Sequence, residues 1–147
     1  MGVILVTGGL GFIGSHTSLY LLKKGYELLI IDSNINSSIK TIYKIGKILS
    51  NEGFKEKKIE FFKGDLRDYL FLDKVFSNYE KSKKRIDFVI HFAGLKSIPR
   101  SFEDPISYWD NNLVSSINLL KVMKKYKCKK IIFSSTATIY DHSINRS

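Results

Sequence analysis

The stretch Val3-Ile4-Leu5-Val6-Thr7-Gly8-Gly9-Leu10-Gly11-Phe12-Ile13-Gly14 decides the fold of this chain. Its apolar run has the length and composition of a buried strand, and an apolar-periodic segment begins at Phe12. Between them, Gly8, Gly11 and Gly14 allow a tight turn and let an anion approach the backbone. The first N–H groups of the following helix and the positive end of its dipole face that anion. The stretch therefore predicts a strand, a phosphate-binding turn and a helix.

An acidic residue stands where such a turn requires one. Asp32 closes the apolar run 28–31, about 20 residues after the glycines, which is the spacing of the dinucleotide-binding fingerprint. A carboxylate there accepts hydrogen bonds from a ribose and repels a 2′-phosphate, and no arginine stands beside it. The combination predicts NAD rather than NADP as the cofactor. Alone, the glycines would indicate only a tight turn and Asp32 only a turn cap.

The pattern along the chain alternates between strand-like and helix-like periods, which predicts an α/β protein with a Rossmann-type doubly wound parallel sheet. The right-handed crossover rule favours the strand order 3-2-1-4-5. Asp104 and Pro105 supply an N-cap and a first helical residue. The predicted strands are 3–7, 27–32, 58–63, 86–91 and 130–135, and the predicted helices are 12–24, about 38–50, about 68–80 and about 105–126.

The loops after the second and third strands offer further candidate contacts to the cofactor. Residues 33–37 would close over the adenosine, or form an ordinary polar loop. Asp65 would accept a hydrogen bond from an adenine amino group while Leu66 packs on the ring; alternatively, Asp65 is the N-cap of the next helix.

The ends of the fourth and fifth strands complete the predicted ligand edge. Small residues after His91 let a cofactor pass close to the backbone, and Lys96 would meet a phosphate or a ribose hydroxyl, or only solvent. His91 is expected to be a hydrogen-bonded packing residue rather than a catalyst. The hydroxyls of residues 134–138 would bind a substrate oxygen, although such turns are also common after strands.

Composition narrows the classes of function. The 147 residues suit one domain, and the net charge of +10 comes mostly from scattered lysines without an aromatic-interleaved basic strip, which argues against a nucleic-acid-binding surface. No run approaches the roughly 18 apolar residues of a membrane span, and no His/Cys spacing suggests a metal site. The single cysteine, Cys128, cannot form an internal disulfide, and with no visible targeting segment we expect a cytoplasmic protein.

Taken together, these motifs resemble the N-terminal half of the UDP-glucose 4-epimerase family, within the extended short-chain dehydrogenase/reductase superfamily. The glycine motif is typical of the superfamily, whereas Phe92-Ala93-Gly94-Leu95-Lys96 is typical of 4-epimerases. Residues 97–101 depart from the family pattern. The matching segments are 7–17, Asp32, 64–68, 91–96, 108–112 and 133–140, so the resemblance covers nearly all of 1–140.

The resemblance implies an NAD-dependent isomerase that interconverts UDP-galactose and UDP-glucose by transient hydride transfer to bound NAD. It places the family's catalytic serine on Thr136. The cofactor contacts that it implies are Phe12, Ile13, Asp32, Ser33, Asn34, Ile35, Asn36, Ser37, Asp65, Leu66, Phe92, Ala93, Gly94, Leu95, Lys96 and Asn111.

The family also has a Tyr-x-x-x-Lys base on the helix after the fifth strand, which the 147 residues do not contain. Four other pairs fit the spacing (Tyr20/Lys24, Tyr43/Lys47, Tyr79/Lys83 and Tyr126/Lys130), but none is predicted at the nicotinamide. We therefore expect residues 1–147 to be an incomplete NAD-binding domain without the C-terminal sugar-nucleotide domain, a cofactor-binding fragment with little or no turnover. The helix 105–126 would then expose an apolar stripe suited to a homodimer.

Two other interpretations remain open from the sequence. One is a fragment of another NAD-dependent sugar-nucleotide dehydratase or decarboxylase. The other is a non-catalytic binding module basic enough to touch nucleic acid, for which a steep salt dependence of RNA binding would be the signature.

Overall fold

Five short apolar runs form one parallel sheet in the computed structural model, which describes residues 2–54 and 59–136. The strand order is β3-β2-β1-β4-β5, as predicted, and every neighbouring pair is parallel. Because β1 is central, the chain reverses its winding there, which opens a crevice at the carboxyl edge of the sheet. The strands are β1 (Val3–Thr7), β2 (Glu27–Asp32), β3 (Ile59–Lys63), β4 (Ile86–His91) and β5 (Lys130–Phe133).

The helices follow the strands and end at recognisable signals. Gly25, with φ of 91°, adopts the left-handed conformation just after the first helix. Asp104 accepts a hydrogen bond from the N–H of Ser107 and Pro105 opens the helix, as predicted. The helices are α1 (Phe12–Lys23), α2 (Lys40–Asn51), α3 (Tyr69–Lys81), α4 (Ile98–Glu103), α5 (Pro105–Trp109) and α6 (Ser115–Lys125), with a π-helical segment (Asp110–Val114) between α5 and α6.

The structure differs from the sequence prediction in four details, one of which is that β5 ends at Phe133 rather than at residue 135. The expected single helix over 105–126 is divided by the π-helical segment, whose wider turn leaves the apolar periodicity nearly unchanged. Helix α4 was not predicted, because its six residues are too few to show a period. The N-cap of α3 is Asp68, which accepts from the N–H of Phe71, and not Asp65.

The core lies in two layers, one on each face of the sheet. On one face α1 and α2 cover β1 and β2, with Leu22 and Ile45 in the apolar cluster. On the other face α3 and α6 pack on β1, β2 and β4, with Leu72 and Leu119 fully buried. Helices on both faces explain why the strands are continuously apolar rather than alternating. Within the described ranges, no helix is long and apolar enough to cross a membrane.

Candidate functional site

The carboxyl edge of the sheet carries an open cleft. It lies where the loops after β1, β2, β3 and β4 converge, and the π-helical segment closes one side. Its lining residues are Gly8, Gly11, Ile31, Asp32, Ser33, Ile35, Asn36, Gly64, Asp65, Leu66, Phe92, Ala93, Gly94, Leu95, Lys96, Asn111 and Ser115.

The glycine turn between β1 and α1 has no room for side chains. Gly8 has a φ of 66°, and a Cβ on it would lie 2.7 Å from the N atom of Ala93. A Cβ on Gly14 would lie 2.3 Å from the carbonyl oxygen of Gly8. The turn is closed by the N–H of Gly11, which donates to the carbonyl of Gly8 at 3.1 Å. Glycine at positions 8 and 14 therefore lets α1 begin close to β1 and to the loop after β4.

The N-terminus of α1 differs from those of α3 and α5. An aspartate side chain caps each of the latter two, whereas α1, like α2 and α4, has no side-chain cap; its N-cap is Gly11, which lines the cleft. The first N–H groups of a helix have no partner within the helix. At α1 they are therefore left for a ligand, together with the positive end of the helix dipole.

Asp32 joins the glycine turn to the loop after β2. Its Oδ2 accepts a hydrogen bond from the N–H of Leu10 at 3.0 Å, and its Oδ1 accepts from the N–H of Asn34 at 2.9 Å and the hydroxyl of Ser37 at 2.7 Å. The residue is only 7% exposed, yet it lines the cleft. A carboxylate has about four lone-pair positions, so three protein donors leave capacity for one from a ligand.

The loop after β4 is fixed by a residue that the sequence analysis did not single out. The side-chain amide of Asn112 accepts from the N–H of Leu95 at 2.7 Å and donates to the carbonyl of Leu95 at 2.9 Å. The hydroxyl of Tyr108 accepts from the N–H of Ser97 at 3.1 Å. These bonds hold Gly94, Leu95 and Lys96 against the cleft. A side chain that bonds to a backbone 17 positions away gives no local signal, and only the family resemblance of residues 108–112 included Asn112.

His91 supports the site from below. Its Nδ1 lies 2.6 Å from the hydroxyl of Thr7 and its Nε2 lies 3.0 Å from that of Ser116. Burial lowers the pKa of His91 to about 4, so the imidazole is neutral at pH 7. A neutral, doubly hydrogen-bonded ring that does not line the cleft is a packing residue, as expected.

Most of the predicted contact residues line the cleft, and five do not: Phe12, Ile13, Gly14, Asn34 and Ser37. The side chains of Phe12 and Ile13 face outward, 75% and 52% exposed, and their backbones open α1. Asn34 has a φ of 58°, and its Oδ1 is buried without a hydrogen-bond partner among the described residues. Three lining residues were not predicted: Ile31, Gly64 and Ser115.

The hydroxyl groups after β5, which were predicted to bind a substrate oxygen, lie away from the cleft or outside the described residues. Thr136 is exposed and does not line the cleft, and residues 137 and 138 of the hydroxyl-rich turn lie outside the described residues. None of the four Tyr-x-x-x-Lys pairs lines the cleft either. The hydroxyl of Tyr79 is bound to the carboxylate of Glu60, and that of Tyr126 donates to the carbonyl of Asp73 at 3.3 Å.

The topology, the N-terminus of α1 at the cleft and the placement of Asp32 define a Rossmann-type protein of the dinucleotide-binding class. The family model described as GDP-mannose 4,6 dehydratase matches residues 5–143, and the chain therefore belongs to this family of NAD-dependent epimerases and dehydratases. Within it, the chain is homologous to the N-terminal part of UDP-glucose 4-epimerases.

Individual relatives share nearly half of the aligned residues. The UDP-glucose 4-epimerase of Schizosaccharomyces pombe is 45% identical over 95% of this chain and 36% of its own length. A bifunctional UDP-glucose and UDP-xylose 4-epimerase of Pisum sativum is 47% identical over 93% and 37%. The Bifidobacterium longum UDP-glucose 4-epimerase, solved in complex with NAD⁺ and UDP, is 46% identical, with a TM-score of 0.83 over 94% of this chain and 38% of that one. The chain thus spans little more than a third of these relatives.

Proposed function

We propose that this chain binds NAD in the cleft and supplies the cofactor-binding part of a UDP-glucose 4-epimerase. The observation that carries the proposal is the uncapped N-terminus of α1 beside a buried carboxylate, at the carboxyl edge of the sheet. Relatives that are UDP-glucose 4-epimerases, one of them solved with NAD⁺ and UDP, support the same assignment.

The residues of the cleft fit the parts of NAD. Backbone N–H groups at the start of α1 would hold the pyrophosphate, and Asp32 would hold the adenosine ribose. Asp65 and Leu66 would meet the adenine, and residues 92–96 with Asn111 would hold the remaining part of the dinucleotide. When bound, NAD supplies reversible hydride transfer, and the chain's own contribution is to bind and orient it.

Isothermal titration of the 147-residue chain with NAD⁺ and NADP⁺ tests the proposal. We expect NAD⁺ to bind at least about tenfold more tightly, because Asp32 repels a 2′-phosphate. The variant Asp32→Ala is expected to lose both affinity for NAD⁺ and this preference. A wild-type chain that binds neither dinucleotide would refute the proposal.

Epimerase activity on UDP-galactose and UDP-glucose is proposed for the protein of which these residues form the cofactor site, with Thr136 as the hydroxyl that meets the sugar. For residues 1–147 alone we expect no UDP-glucose from UDP-galactose and NAD⁺, because none of their Tyr-x-x-x-Lys pairs lies at the cleft. Formation of UDP-glucose would contradict this expectation. Conversion of GDP-mannose instead would favour the dehydratase interpretation that the family model's description raises.

We further propose that the protein is cytoplasmic and forms homodimers. The buried, unpaired Cys128 suits a reducing compartment. The apolar stripe of Leu113, Ile117 and Leu120 is 40–50% exposed along the π-helical segment and α6, and a second copy would cover it.

A further inference from the structure

Arg67 connects two walls of the cleft that are distant in sequence. Its Nε lies 3.1 and 3.0 Å from the two carboxylate oxygens of Asp65, and its Nη2 lies 2.6 Å from Oδ2. Its backbone N–H also donates to Asp65 Oδ1 at 2.9 Å. The other end of the guanidinium, Nη1, lies 2.5 Å from the carboxylate of Asp110 in the π-helical segment.

The backbone of Arg67 is held as well as its side chain. The side-chain amide of Asn118, on α6, donates to the carbonyl of Arg67 at 2.7 Å. Asp65 lines the cleft from the β3 side, and Asp110 precedes Asn111, which lines it from the opposite side. A planar guanidinium with five donors suits this double engagement, because it can bind one carboxylate side-on and a second one at its far end.

We propose that Arg67 is a positioning residue that makes Asp65 select adenine, by fixing the orientation of its carboxylate and its distance from the π-helical wall. This inference rests on the proposed binding of NAD. It assigns the discrimination between purine bases to the Asp65–Arg67 pair rather than to Asp65 alone, while Asp110 ties this pair to the opposite wall of the cleft.

The chemical basis is that an ionised carboxylate only accepts hydrogen bonds. The amino group of adenine donates to it, whereas the carbonyl oxygen that replaces this group in hypoxanthine meets it with like polarity and is rejected. An aspartate of ordinary pKa is already ionised at neutral pH, and the hydrogen bonds and charge of Arg67 lower the pKa of Asp65 further, so the contribution of Arg67 at this pH is the orientation of the carboxylate. Without the guanidinium only the backbone N–H of residue 67 would hold Oδ1, and Oδ2 would lose its fixed position.

The experiment compares the affinities of NAD⁺ and nicotinamide hypoxanthine dinucleotide by isothermal titration. We expect the wild-type chain to prefer NAD⁺ by about tenfold, and Arg67→Gln to reduce that preference to less than about threefold. Arg67→Lys should retain more of the preference than Arg67→Gln, because it keeps the charge. Asp110→Asn should weaken both dinucleotides alike and leave the ratio unchanged, because the Asp65–Arg67 contacts remain.

A matched control is Lys125→Gln, which removes another exposed ion pair, between α6 and Asp73 of α3, away from the cleft. It should leave both affinities and their ratio at wild-type values. Equal preference in the wild type and Arg67→Gln, with NAD⁺ still bound, would overturn this inference alone. Absence of NAD⁺ binding in the wild type would overturn the proposed function as well.

Discussion

Two polar residues at strand ends, Asp32 and His91, illustrate how single side chains prepare the cleft. Both are almost fully buried, and each is satisfied by partners from other segments: Asp32 by Leu10, and His91 by Thr7 and Ser116. A buried polar group that lost these partners would cost about 1–3 kcal/mol. Hydrogen bonds within the protein therefore hold the cleft in shape without a ligand.

The protonation of His91 gives a pH-dependent stability. Its pKa in the folded chain is about 4, below the unfolded value of 6.5, so the folded state binds fewer protons. The stability associated with neutral His91 is complete above pH 6.5 and is lost as the pH falls from 6.5 toward 4, by about 3 kcal/mol in all. Urea denaturation across this range should show the loss in the wild type and a smaller one in His91→Gln.

His16→Gln serves as the control for that experiment, because it removes an exposed imidazole on α1. It should follow the wild-type profile. If His91→Gln kept the full wild-type slope between pH 6.5 and 4, carboxylates elsewhere would account for the pH dependence and our assignment to His91 would be wrong.

At the scale of elements, two helical glycines predict opposite responses to the same substitution. In Gly14→Ala the new Cβ would lie 2.3 Å from the carbonyl oxygen of Gly8, so the start of α1 must move away from the turn. We expect a loss of about 1–3 kcal/mol in the free energy of unfolding and a weaker affinity for NAD⁺. A Cβ on Gly46, in α2, would meet no atom within 4 Å, and Gly46→Ala should stabilise the chain by up to about 1 kcal/mol.

Urea titration of both variants measures these changes, and titration with NAD⁺ reports on the turn. Gly46→Ala should bind NAD⁺ with wild-type affinity, because α2 lies outside the cleft lining. A Gly14→Ala chain of wild-type stability and affinity would mean that the close approach of α1 to β1 is not required.

The distance along the chain between contacting residues decides which parts of the site the sequence could predict. The glycine turn and Asp32 act within about 25 residues of each other, and their spacing along the chain is itself the signal. Asn112 and Arg67 act on partners 17 and 43 positions away, which only the folded arrangement brings together. The π-helical segment adds a widened turn to an otherwise regular apolar period, so the periodicity predicted one helix where the structure has three pieces.

For the molecule as a whole, the exposed apolar stripe along the π-helical segment and α6 predicts self-association. Leu113, Ile117 and Leu120 are 46%, 40% and 50% exposed and recur at helical spacing on one face. Fully burying a large apolar side chain contributes about 1.5–3 kcal/mol, so covering these half-exposed side chains contributes about half as much each and favours pairing across a two-fold axis. The sedimentation coefficient of the wild-type chain should therefore rise with concentration.

Ile117→Lys and Leu120→Lys place a charge in the centre of this stripe and should shift the association to at least about tenfold higher concentration. Leu70→Lys is the matched control, because Leu70 is a 77% exposed leucine on α3, outside the stripe. It should associate like the wild type. Since the stripe lies apart from the residues that line the cleft, all three variants should still bind NAD⁺, which verifies that they fold. A wild-type chain that sediments as a monomer at every concentration, or lysine variants that associate as strongly as Leu70→Lys, would rule out this face as the dimer interface.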